Sequence, residues 1–229
     1  MMVFLDIGST LIDGPPAGPA RRIADGLGLG TDSLAGIEHL LFCTAARDAQ
    51  ELGRQLSEQF GVNPAAAVKC VGALWEDQLR EAFVLPGAQQ AIADLKAAGL
   101  ARAYLSNIWP PFYARFETEF AAEAREQPQF LSFRMGMMKP DPEFFSAALR
   151  AVGVRPDEAV MVGDTYENDI EPAVALGMRT VWILHRAEKE KKALIKVMNH
   201  KSPSPDLTLA SIGDLRTDGL LSLMHGRDK

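Results

Sequence analysis

Four short segments hold the residues able to do chemistry: Asp6-Ile7-Gly8-Ser9-Thr10, Ser106-Asn107, Lys139-Pro140, and Gly163-Asp164 followed by Asp169. Three of them close apolar, strand-like runs. Val3-Phe4-Leu5 leads into Asp6, Ala103-Tyr104-Leu105 into Ser106, and Val160-Met161-Val162 into Gly163. In an open parallel α/β sheet, ligands bind in the crevice at the carboxyl ends of the strands. Carboxylates at positions 6, 164 and 169, gathered there with the Ser106 hydroxyl and the Lys139 ammonium, need a cation and an anion to be stable together. Mg²⁺ with a phosphate group meets that demand, and the chain has no His/Cys set that would suit zinc instead.

The elements that must position these residues alternate. After the first strand, Gly14-Pro15-Pro16-Ala17-Gly18-Pro19 breaks the chain. From Ala20 to about Phe83 the composition is helical, with Ile37, Leu40, Leu41 and Leu52, Leu56, Phe60 at helical spacing, predicting three or four helices. Pro86-Gly87 marks the return. A helix follows with Ala88, Ala91, Ile92, Leu95 and Ala98 on its apolar face. Next come a strand near 101–105, a helix near 111–124 and a strand near 130–134. Asp141 is the expected N-cap of a helix with Pro142 at its first position, stopping at Gly153. A strand at 159–163, a helix near 167–176, a strand at 180–184, a charge-rich helix from Arg186 to Lys196, a strand at 206–209 and a helix from about Ile212 complete the pattern. Such alternation predicts a mainly parallel sheet with helices on both faces.

These motifs, in this order, resemble the haloacid dehalogenase-like hydrolase superfamily. That family carries D-x-D-x-T after its first strand, a Ser or Thr after the second, a Lys further on, and G-D-x-x-x-x-D after the fourth. The resemblance runs from Met1 to roughly Leu223. It implies a Rossmann-like core of residues 1–14 and 85–229 with a small α-helical cap at 15–84, which closes over the crevice and selects substrate. It implies Asp6 as nucleophile, forming an aspartyl-phosphate. Mg²⁺ would be held by Asp6, the Gly8 carbonyl and Asp164, with Asp169 behind them. Ser106, Asn107, Lys139 and Thr10 would serve the phosphoryl group, Lys139 also neutralising charge on Asp6. The expected activity is hydrolysis of a small phosphorylated metabolite. Other branches of the superfamily cleave carbon–halogen or carbon–phosphorus bonds. The dehalogenases generally lack the Gly-Asp pair seen at 163–164, and a phosphonatase needs a cap lysine, for which Lys69 is the one candidate between Gly14 and Phe83.

Gly8 departs from the pattern, because the family's second aspartate protonates the leaving oxygen and then activates water. Losing such a group typically costs about 10²–10⁴ in rate. The substitution therefore predicts a preference for leaving groups that need little protonation, such as sugar 1-phosphates, acyl phosphates or aryl phosphates, unless His39 or Asp48 of the cap stands in. It also leaves room for a non-catalytic member that binds a phosphorylated ligand.

The remaining candidates read as ordinary structure. Arg47, Arg54, His39 and Lys69 fit a solvated helix face, and Trp75, Phe42 and Phe60 fit cap core. Met135, Met137 and Met138 fit packing around a strand end. The 229 residues carry a formal charge of −6, which opposes charge-driven binding to nucleic acid or anionic membranes. Cys43 and Cys70 suggest neither a zinc site nor a disulfide framework and fit a reducing cytosol. No apolar run reaches the roughly 18 residues of a membrane span. The N-terminus reads as a first strand rather than a signal peptide. The expectation is a cytoplasmic enzyme, monomer or homodimer, with a small-molecule substrate as its partner.

Overall fold

Strand β1, Met2–Leu5, is wholly buried at the middle of the molecule. The computed structural model describes residues 1–225. Six strands form one parallel sheet in the order β5-β4-β1-β6-β7-β8, with β4 at Ala101–Ser106, β5 at Gln129–Leu131, β6 at Ala159–Gly163, β7 at Arg179–Ile183 and β8 at Leu207–Leu209. Apolar residues run continuously through β1 and β6 because helices cover both faces, as in parallel sheets generally. Side chains alternate between those faces. Val3, Leu5, Tyr104, Val160 and Val162 share a core with Ile92 and Leu95 of helix α5, Ala88–Ala97, and Phe116 of α6, Pro110–Glu119. Phe4, Ala103, Leu105 and Met161 meet Phe144, Phe145 and Leu149 of α9, Pro142–Val152, on the other face.

Helices α1 (Pro19–Leu27), α2 (Leu34–Cys43), α3 (Ala49–Phe60) and α4 (Pro64–Glu81) build a separate apolar cluster around Ile23, Ile37, Leu41, Leu52, Leu56 and Leu74. Asp48 caps α3 through Glu51 N at 2.8 Å, and Asn63 caps α4 through Ala66 N at 3.0 Å, with Pro64 at the first helical position. The backbones of α3 and α4 touch at Gly53, where a Cβ would sit 2.6 Å from Val68 Cα. The insertion leaves and re-enters through a short antiparallel pair, β2 (Ile12–Asp13) with β3 (Phe83–Val84).

Several elements differ from the sequence expectation. The strand expected at 130–134 ends at Leu131. Ser132 Oγ accepts from Ile108 N at 3.0 Å and donates to Ile108 O at 3.2 Å, turning residues Ser132–Met135 into a helical turn, α8. The helix near 111–124 is two, because Phe120, at φ −122°, separates α6 from α7, Ala121–Glu126. Residues Tyr166–Ile170 form a wide π-turn before α10, Glu171–Ala175. Ala98 is exposed rather than on the buried face of its helix. The charge-rich helix, α11, begins only at Lys191 and runs to Met198, so Arg186 lies in the turn after β7. A single 3₁₀ turn at Ile212–Asp214 precedes α12, Thr217–His225. The helix at 142–152 carries its cap as expected, with Asp141 accepting from Glu143 N at 2.9 Å and Gly153 ending it in the left-handed conformation.

Candidate active site

Sheet register brings the chemistry together. Leu5 pairs with Tyr104 of β4 and with Val162 of β6, so the next residue, Asp6, stands beside Leu105 and Gly163. Ser106 and Asp164 each follow by one step. Lys139 arrives from the loop before α9, where Asn107 grips its backbone with two hydrogen bonds. Asn107 Nδ2 donates to Lys139 O and Lys139 N donates to Asn107 Oδ1, both at 2.8 Å. The Lys139 side chain is 2% exposed. Its ammonium donates to Asp6 Oδ1 at 2.8 Å, Asp169 Oδ1 at 2.5 Å and Leu105 O at 3.0 Å, which uses all three protons. Burial alone would lower its pKa, but Asp169 and Asp6 outweigh burial and hold it above the ordinary lysine value.

Asp169 is fixed from both sides, by Lys139 and by Thr165 N, which donates to Oδ2 at 2.9 Å. It lies so close to the end of β6 that a Cβ on Gly163 would fall 2.3 Å from its Cγ and 2.4 Å from its Oδ2. Only glycine allows that approach. Gly163→Ala is therefore expected to push Asp169 off Lys139, and displacements of about 1 Å at a reacting centre can cost around 10²-fold in rate. Steady-state kinetics with a melting curve checks this, and wild-type values in both would reject the constraint.

Asp6, Asp164 and Asp169 offer carboxylate oxygens that all lie within 4.8 Å of one another. Burial raises the Asp164 pKa to about 8, against the pull of Arg186, with Asp169 and Asp6 adding repulsion. Burial likewise raises Asp169 to about 6, against Lys139. A divalent cation among these oxygens would relieve that penalty, so the all-oxygen donor set fits a hard metal ion. The Ser106 hydroxyl is fully buried with no hydrogen-bond partner among the described residues, as is that of Thr10. An unpaired buried hydroxyl costs roughly 1–3 kcal/mol, and Ser106 at the end of β4 fits a phosphoryl oxygen that would accept its proton.

The crevice above this cluster has a volume of about 290 Å³. Asp6, Gly8, Asn107, Lys139, Asp164 and Asp169 line it, whereas the buried Ser106 and Thr10 are not part of the lining. Of the candidates carried by α1–α4 and the segments between them, His39, Arg47, Arg54 and Lys69 are exposed and take no part in the lining, as expected for a solvated face. Trp75 packs edge-on to Trp109 at 5.6 Å, and Phe60 packs in the helical cluster. Phe42 packs there too but also reaches the crevice, as does Met138.

Sequence reasoning missed Arg186 and Asp13. Arg186 Nη2 donates to Asp164 Oδ2 at 2.5 Å, and its Nη1 stands 4.0 Å from Asp13 Oδ1. Asp13 also faces His185 Nε2 at 3.4 Å. The available signal was position: Arg186 follows the carboxyl end of β7 as Asp164 follows that of β6.

Residues 2–177 match the sequence profile of haloacid dehalogenase-like hydrolases. Phosphoserine phosphatase from Thermus thermophilus is 31% identical over 163 residues, 71% of this chain and 60% of that protein. Glyceraldehyde 3-phosphate phosphatase from Pyrococcus furiosus is 34% identical over 100 residues, covering 43% and 41% of the two chains. The matches thus span less than two-thirds of these relatives' length. The crystal structure of a 2-haloacid dehalogenase from Pseudomonas syringae pv. Tomato superposes with a TM-score of 0.61 over 96% of this chain and 98% of that one, at 19% identity. A shared fold at that identity leaves the reaction open, whereas the profile match over most of the chain, with the acidic cluster at the strand ends, makes this protein a member of the haloacid dehalogenase-like hydrolase family.

Proposed function

We propose that the protein is a metal-dependent phosphatase acting on a small phosphorylated metabolite, with Asp6 as nucleophile. The observation that carries this reading is the Lys139 ammonium bridging Asp6 and Asp169 beside Asp164. Asp6 attacks phosphorus to form an aspartyl-phosphate, which water then cleaves. Lys139 keeps the attacking carboxylate aligned and offsets charge on the transferring group. Ser106 donates its hydroxyl proton to a phosphoryl oxygen, and Asn107 holds Lys139 in place. Asp6, the Gly8 carbonyl and Asp164 would hold Mg²⁺, with Asp169 steadying the site. The bound ion supplies Lewis-acid stabilisation of phosphoryl charge. Helices α1–α4, within residues 15–84, serve as a cap over a core of residues 1–14 and 85–229. The cap contributes Phe42, Glu38 and Gln78 to the substrate side of the crevice. The one cap lysine, Lys69, is exposed and away from the lining, which speaks against a Schiff-base phosphonatase. No helix among the described residues is long and apolar enough to cross a membrane.

The test is hydrolysis of p-nitrophenyl phosphate with and without Mg²⁺. Turnover should require the ion and vanish in excess EDTA, and full activity in EDTA would reject the metal site. Stability gives a second readout. Asp164 and Asp169 have folded-state pKa values raised to about 8 and about 6 from the ordinary 3.8, so the folded protein binds more protons than the unfolded chain between those limits. The metal-free protein should lose stability as pH rises through that window. Mg²⁺ should restore it most at the alkaline end, where it no longer competes with protons. At about 100 times its dissociation constant it should add roughly 2.7 kcal/mol.

A further inference from the structure

We propose that Asp13 supplies the general acid–base group that Gly8 lacks, a role that rests on the phosphatase reading above. The chain between Asp6 and β2 coils back on itself. Leu11 N and Ile12 N both donate to Ile7 O, at 2.9 and 3.0 Å, and Ser9 N donates to Ile12 O at 2.6 Å. Gly8 and Ile12 form a β-bridge, so the residue after Ile12 comes back beside the position where the family's second aspartate stands. One aromatic ring bounds both places. A Cβ on Gly8 would lie 3.8 Å from Phe112 Cε1, and one on Gly14, next to Asp13, 3.2 Å from Phe112 Cε2.

Asp13 lines the same crevice as Asp6, and its anchoring suits proton transfer. Oδ1 accepts from Ser9 Oγ at 3.0 Å and from Gly14 N at 2.9 Å, which fixes the carboxyl plane. Ser9 holds a left-handed conformation, φ 56°, to present that hydroxyl. Oδ2 accepts no hydrogen bond among the described residues and faces His185 Nε2 at 3.4 Å, with the Arg186 guanidinium nearby. The side chain is 18% exposed, on the crevice side. His39 and Asp48, the cap alternatives, are exposed and outside the lining.

In the first half-reaction an Asp6 oxygen bonds to phosphorus while the bond from phosphorus to the leaving oxygen breaks. That oxygen keeps the electron pair and takes the proton of Asp13. In the second, water bonds to phosphorus as the bond to Asp6 breaks, the electron pair returning to Asp6. The ionised Asp13 takes the proton that water loses. An alcohol and inorganic phosphate leave, and Asp13 is again protonated.

Asp13→Asn keeps an oxygen for both anchoring bonds and removes the proton carrier. On an alkyl phosphate, kcat should fall about 10²–10⁴-fold with KM little changed. With p-nitrophenyl phosphate, whose leaving group needs no proton, rapid quenching should show phosphoenzyme accumulating because its breakdown has lost the base. Adding Gly8→Asp to this variant should restore at least about tenfold, since Gly8 has room for a side chain and a merely structural lesion would not be mended that way. Unchanged kcat on the alkyl phosphate, or a slow variant with neither phosphoenzyme nor rescue, would overturn the proposal. If Asp13→Asn fails to fold, Ser9→Ala takes its place. It frees one anchor, and kcat should drop by about tenfold and recover with Gly8→Asp, an unchanged kcat counting against Asp13. Absence of turnover on every phosphate monoester overturns the phosphatase reading instead.

Discussion

Asp6→Asn is expected to abolish turnover while leaving the fold in place. The substitution removes the oxygen proposed as nucleophile, at the point where the register of β1 delivers it beside Leu105 and Gly163. It costs the site little structurally. An amide oxygen still accepts from Lys139 Nζ, whose bonds to Asp169 and Leu105 O are untouched. Removing one of three crowded carboxylates also relieves repulsion on Asp164 and Asp169. Losing the covalent route should lower kcat by at least about 10⁴-fold, roughly 5 kcal/mol of barrier. The melting temperature should hold or rise. Wild-type turnover in this variant would end the assignment of Asp6.

Lys139→Met should damage stability as well as activity. Methionine matches the length of the stem, so packing is kept, but Asp6 and Asp169 lose the ammonium that joins them. Breaking a buried ion pair by removing one partner costs about 3–5 kcal/mol, because the remaining charge is stranded. At roughly 2–4 °C per kcal/mol for a chain of this size, melting should fall by about 6–20 °C. The deficit should shrink in acid. Lys139 holds the Asp169 pKa down, so the variant protonates that carboxyl at a higher pH and sheds the stranded charge. Thermal melts at mildly acidic and neutral pH check this. An equal deficit at both would mean that lost packing, not stranded charge, explains the instability.

The sheet and the acidic cluster were legible because each depends on a local signal. A short apolar run ending in Asp or Ser announces a strand end, and a parallel sheet sends all such ends to one edge. Asp6, Ser106 and Asp164 were found that way. Lys139 ends no strand and stands out only through the resemblance to the family's lysine, within the run Lys139-Pro140-Asp141-Pro142; the Asn107 clamp that holds it spans 32 positions and leaves no mark in the sequence. Arg186 was hidden by its company. In a stretch dense with Lys and Glu, each charge reads as solvated, and the helix start expected at 186 moved it onto a surface face. Asp13 was hidden by its place just before the break at Gly14-Pro15, where no motif singles it out. What returns it to the crevice is the tight coil from Ile7 to Ile12, set by backbone hydrogen bonds. The break at Leu131 was likewise invisible, since it depends on the Ser132 hydroxyl meeting Ile108.

The central place of β1 also shapes how the chain is made. Its two neighbours in the sheet begin at Ala101 and Ala159, so the second is synthesised some 150 residues after Met2. At about 5–20 residues per second, the ribosome needs on the order of 10–30 s to provide it. For that interval Met2-Val3-Phe4-Leu5 is an apolar strand with an unpaired edge, the kind of surface that recruits chaperones or a neighbouring chain. The helices of the insertion, whose apolar cluster is drawn mostly from residues 20–74, emerge early and can begin to pack before Trp109 joins them. The acidic cluster, by contrast, cannot assemble until β6 and its following turn leave the ribosome. A nascent chain stalled before Asp164 would be half folded and catalytically silent.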